Sequence, residues 1–99
     1  LIDDALVSTS VLLMPDRMET WNVEHVDALD PAMISALLDW QPDLILLGTG
    51  PQLTFPEKSV RLACGTRGVG LEIMDTGAAA RTFNLLTADG RRVLGALIV

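Results

Sequence analysis

Two corners of this sequence carry residue types suited to holding a ligand: Gly48-Thr49-Gly50 and Asp75-Thr76-Gly77. A threonine hydroxyl both donates and accepts hydrogen bonds, a carboxylate accepts them, and glycine lets another group approach the backbone closely. If the two corners close neighbouring strands of an open α/β sheet they face one crevice, because ligands in such sheets settle beyond the carboxyl ends of the strands. The N–H groups that open a helix after Asp75 would then favour a small anion. A purely structural reading competes with this one. Glycine at a strand exit permits a sharp turn, and Asp or Thr ahead of a helix caps it.

Other chemistry is thinly represented. His25 is the one histidine and has no serine or cysteine nearby in a nucleophile setting, so no triad can be drawn. Cys64 is the one cysteine, which excludes an internal disulfide and reads as a small buried hydrophobe. Lone His, lone Cys and scattered carboxylates make no recognised metal spacing. The glycines do not form a dinucleotide fingerprint: after Gly48 and Gly50 the third position is Leu53, and Pro51 with Pro56 stops a helix from opening directly. Gly65, Gly68 and Gly70 precede a strand where that fingerprint would follow one. No catalytic residue, cofactor or metal is therefore expected. With 13 acidic against 7 basic residues and a net charge of -6, the chain lacks the basic footprint of a nucleic-acid binder.

The elements that must position these corners follow from punctuation and periodicity. Residues 6–14 read as a strand ended by Pro15, and Trp21 to Val26 alternate well enough to suggest its hairpin partner, with 16–20 as the turn. Asp30-Pro31 is a cap followed by proline at the first helical position, and Met33, Ile34, Leu37 and Leu38 make one apolar stripe running toward Trp40. Pro42 forbids continuation. Leu44 to Leu47 is a short apolar run typical of a central strand covered on both faces. A second helix is expected over about 56–64, a strand over Val69 to Met74, a helix from Asp75 or Thr76 to Gly90, and a final strand over Arg92 to Val99. The expected fold is a three-layer α/β domain over residues 1–99, with a central mixed sheet, an initial hairpin and βαβαβ crossover units. The direction of the last strand stays open.

The last helix has one charged residue between Thr76 and Ala88, Arg81. A solvated helix normally carries more, so this one is expected to be covered. A helical projection puts Ala78, Ala79, Thr82, Phe83, Leu85 and Leu86 inside and Gly77, Ala80, Arg81, Asn84 and Ala88 on the other face. Arg81 and Asn84 are thus candidates for a partner surface or for the wall of the crevice, unless the same chain covers them.

Gly48-Thr49-Gly50, Met74-Asp75-Thr76, Ala78-Ala79, Arg81-Thr82, Asn84-Leu85-Leu86 and Gly90-Arg91, with Val93, Ala96, Leu97 and Ile98, resemble the domain of unknown function 498 family. The likeness runs from about Val11 to Val99. It implies a compact α/β domain with no established catalysis, and its mitochondrial members are assembly factors of respiratory complex I. Two positions depart from the usual pattern: Ala80, where Cys is common, and Phe83, where Tyr is common. A thiol role is thereby excluded at position 80, and a hydroxyl is missing at 83.

The favoured function is a noncatalytic protein-interaction or assembly module, through a protein partner or self-association. The alternative is a small-molecule or anion-binding domain, with an enzyme as one form of it, that uses Thr49, Asp75, Thr76 and Arg81 between the two corners. Apolar runs are far shorter than the roughly 20 residues of a membrane-spanning helix, so no transmembrane segment is expected. The short prokaryotic-type sequence implies the cytoplasm, or the mitochondrion if a segment ahead of Leu1 carried targeting.

Overall fold

The computed structural model describes residues 9–99. Its elements are β1 (Val11–Met14), β2 (Arg17–Thr20), a 3-10 turn (Val26–Ala28), α1 (Pro31–Leu38), β3 (Leu44–Thr49), α2 (Lys58–Thr66), β4 (Gly70–Met74), α3 (Thr76–Ala88) and β5 (Val93–Ile98). They build one mixed sheet in the order β2-β1-β5-β3-β4. Strand β5 lies parallel to β3 and antiparallel to β1, which fixes the direction the sequence left open. The part of the expected first strand over residues 6–8 lies outside the described residues.

Each face of the sheet buries alternate side chains of the same strands, as the two-residue strand period requires. Ile45 and Leu47 with Leu94, Ala96 and Ile98 meet α1 and α2 through Ile34, Leu37, Val60 and Cys64. Leu44, Leu46, Val93 and Leu97 meet α3 through Ala79, Ala80 and Phe83. Both β3 and β5 are buried along their whole length, so they read as continuous apolar runs. A fully buried leucine such as Leu46, at 0% exposure, contributes about 1.5–3 kcal/mol.

The expected hairpin exists with a different second strand. Met14 pairs with Arg17, so Pro15-Asp16 alone make the connection and residues 17–20, expected as turn, form β2. Proline supplies the fixed φ of a turn residue without interrupting either strand. The apparent alternation in 21–26 has another source: Val23 and Val26, at 2% and 1% exposure, drop into the core around the 3-10 turn.

The projected faces of α3 also need correction. Ala80 is buried at 3% exposure and Leu85 is 70% exposed, so the helix is rotated from the expected setting. The sheet dictates the rotation. Gly95 leaves a hollow in β5 that the Phe83 ring fills, and a Cβ there would lie 3.2 Å from Phe83 Cδ1. Ala80 is covered by its own chain and is not part of an outward small-residue face.

Helix ends follow local chemistry. Asp30 Oδ1 accepts from the Met33 N–H at 2.8 Å and Pro31 takes the first helical position. Beyond the other end of α1, Gln41 turns left-handed at φ 59. Arg92 then donates from Nε to the Gln41 carbonyl and from Nη2 to the Trp40 carbonyl, tying this exit to the start of β5.

Candidate functional site

Strands β3 and β4 are parallel neighbours with Gly48 opposite Met74. The Gly48-Thr49-Gly50 and Asp75-Thr76-Gly77 corners therefore emerge on one rim of the sheet. There they are bonded to each other. The Thr76 N–H donates to the Gly50 carbonyl at 2.9 Å, and Thr76 Oγ1 accepts from the Gly50 N–H at 2.8 Å. The same hydroxyl donates to the Ile98 carbonyl at the end of β5. Thr76 thus joins the ends of three adjacent strands.

Gly48 is where the helix comes closest to the sheet. A Cβ at this position would sit 2.9 Å from Thr76 Oγ1, 3.0 Å from Thr76 Cα and 3.1 Å from Leu97 Cδ2. The first turn of α3 consequently occupies the space directly above Gly48. Gly50 takes φ +105 for the sharp exit.

The other polar groups of the rim also have internal partners. Thr49 Oγ1 donates to the Gln52 carbonyl at 2.7 Å and accepts from the Thr54 N–H at 3.0 Å, shaping the loop after β3. Asp75 Oδ1 accepts from the Ala78 N–H at 2.9 Å as the N-cap of α3. A carboxylate already placed at the helix start opposes a second anion there.

Around the rim, on the side away from α3, a shallow cleft of about 160 Å³ is lined by Glu24, His25, Thr49, Gly50 and Val99 among others. Sequence reasoning had put Glu24 and His25 in a strand. His25 Nδ1 accepts from the Asp27 N–H at 3.2 Å and lies 3.4 Å from Asp27 Oδ2. With Thr49 committed to its own loop, the cleft contains histidine and carboxylate but no activated nucleophile. Cys64 is buried, and that burial pushes its thiol pKa upward, away from the thiolate that metal binding or attack would need. Among the described residues no group of three His, Cys, Asp or Glu side chains gathers to hold a metal.

The remaining candidates lie along α3. Arg81 is exposed and forms no ion pair with any described residue. Asn84 is half-buried and lines a groove of about 580 Å³ between α3 and the β1–β2 hairpin, together with Met18, Phe83 and Thr87. Leu85, which the helical projection had turned inward, stands exposed beside them. Its exposure was missed because the hollow at Gly95, which sets the helix rotation, lies in a different element.

The fold is a five-stranded mixed α/β sheet with α1 and α2 on one face and α3 on the other, its rim closed by threonine hydrogen bonds. The chain belongs to the family described as protein of unknown function (DUF498/DUF598), whose sequence profile matches residues 1–98. It is 33% identical over 89 residues to the human NADH dehydrogenase [ubiquinone] 1 alpha subcomplex assembly factor 3, a match covering 88% of this chain and 48% of that protein. The chain thus spans about half the length of that relative. The NMR structure of a Xanthomonas campestris protein superposes with a TM-score of 0.86 at 49% identity, covering 94% of this chain and 71% of that one. The crystal structure of a Bordetella parapertussis protein gives 0.85 at 32% identity, covering 93% and 80%. Among the described residues no helix is long and apolar enough to cross a membrane.

Proposed function

We propose that this chain is a noncatalytic module that docks a protein partner, with the outward side of α3 as the docking face. The observation that carries the reading is the likeness to assembly factor 3 over 88% of the chain. The character of α3 supports it. Arg81 is the single charge between Thr76 and Ala88, and Leu85 is 70% exposed one turn further on. An exposed leucine next to an arginine offers apolar area and a directional donor together, and arginine is enriched at interfaces. Asn84 adds an amide at the lip of the adjoining groove.

The test is affinity capture from the source cell, comparing the wild-type chain with Arg81→Glu and Leu85→Asp. A partner should be recovered reproducibly with wild type and reduced about tenfold or more with either variant, while both variants keep the wild-type melting temperature within a few degrees. Absence of any reproducible partner for the wild type would sink the proposal. Unfolding of Arg81→Glu would instead assign that side chain to the fold.

A further inference from the structure

From the free edge of the sheet we infer that two copies of this chain pair through β2, antiparallel and across a two-fold axis at Met18, to make one ten-stranded sheet. The surface is distinct from the α3 face and does not rest on the docking proposed there. Among the described residues β2 has β1 as its one strand neighbour, and all four of its residues are exposed. Such an edge presents backbone donors and acceptors ready for another strand.

The hydrogen-bond phase selects the register. The Trp21 N–H donates to the Ser10 carbonyl at 2.8 Å, so Trp21, Glu19 and Arg17 direct their backbone groups at β1. Met18 and Thr20, lying between them, direct theirs outward. A two-fold axis at Met18 lets the Met18 N–H of each copy donate to the Met18 carbonyl of the other. It also sets Arg17 of each copy directly opposite Glu19 of the other.

Neighbouring registers are worse. Shifting the axis to Glu19 keeps outward bonds between Met18 and Thr20 but sets two glutamates face to face. Shifting it to Thr20 leaves Arg17 beyond the paired segment. The strand Arg-Met-Glu is therefore self-complementary in the register that its own hydrogen-bond phase allows. Side-chain exposure agrees with this arrangement. Arg17 and Glu19 are already paired within one copy on the α1 face, at 46% and 49% side-chain exposure, so the dimer extends that pair into a square of four charges of alternating sign. On the α3 face Met18, 69% exposed, would cover its symmetry mate. A net charge of -6 on each copy opposes association, and a four-residue edge is short, so the dimer is weak.

Sedimentation equilibrium at millimolar chain concentration reads the outcome. The wild type should approach twice the 10.6 kDa of one chain. Glu19→Arg alone and Arg17→Glu alone should each weaken association about tenfold, because like charges then face each other twice. An equimolar mixture of the two variants should recover the dimer. Met18→Pro, which deletes the outward N–H while leaving every charge in place, should also be monomeric; it stands in for Arg17→Glu if that variant does not fold. A wild type that stays monomeric at millimolar concentration overturns the inference. So does a Glu19→Arg variant that dimerises as tightly as wild type, or a mixture of two folded variants that stays monomeric.

Discussion

The Thr76 hydroxyl has two partners, and both belong to the backbone: the Gly50 N–H and the Ile98 carbonyl. Replacing it by valine keeps the shape and leaves a donor and an acceptor unpaired at a closed rim. The expected cost is about 2 kcal/mol, since an unsatisfied buried group is penalised more than a formed bond is rewarded. Urea unfolding of Thr76→Val against Thr76→Ser measures it, and equal stability of the two variants would refute the structural role. Cys64 gives a second prediction at this scale. At 1% exposure its thiol is held neutral and its pKa lies above the ordinary value. The unfolded thiol ionises first, near pH 8.5, so its contribution to stability is complete below that pH. It is lost as pH rises from there through the folded-state pKa, by up to about 1.4 kcal/mol per pH unit. Unfolding curves between pH 7 and 10 should fall more steeply for wild type than for Cys64→Ala; parallel curves would remove the claim.

Elements differ in how openly the chain announces them. Helix α1 was legible from its cap, with its end read two residues too far at Trp40, because Asp30, Pro31 and Pro42 act within their own neighbourhood, and β3 because four consecutive apolar residues between turn signals leave few options. The end of α3 at Gly90, with φ +81, belongs to the same kind. Strand β2 was not legible, since Arg-Met-Glu-Thr has neither β-branched density nor a buried face to give it a period. Its identity comes from β1, reached through a connection of two residues. The rotation of α3 was hidden for a related reason: whether Ala80 or Leu85 turns inward depends on Gly95, fifteen residues beyond Ala80 and in another layer. The rim candidates show both outcomes. Their shared location followed from the parallel order of β3 and β4, but the bonds that engage Thr49 and Thr76 depend on the fold of residues 50–54 and on Ile98. Arg81 was placed outward by a projection that erred on its neighbour, because a charged side chain takes solvent for its own reasons.

At the scale of the molecule, the last strand in sequence is the middle strand in space. β5 is held on one side by β1, near the start of the described chain, and on the other by β3, and both its faces are buried. The sheet is incomplete without β5, and it cannot open at its centre without exposing the side chains that α1 and α2 cover on one face and α3 on the other. Hydrogen exchange should therefore rank the strands. At low chain concentration the outward amides of Met18 and Thr20 should exchange within the dead time, and the amides of β4 should follow through local opening of the other edge. Leu46, Leu94, Ala96 and Leu97 should exchange only through global unfolding, at rates matching the stability obtained from urea. Raising the concentration should slow Met18, whose amide gains the partner copy's carbonyl in the register at Met18, and should leave the amides of the centre unchanged. If Leu94 and Ala96 exchanged as fast as the edges, β5 would not be the strand on which the two layers of helices depend.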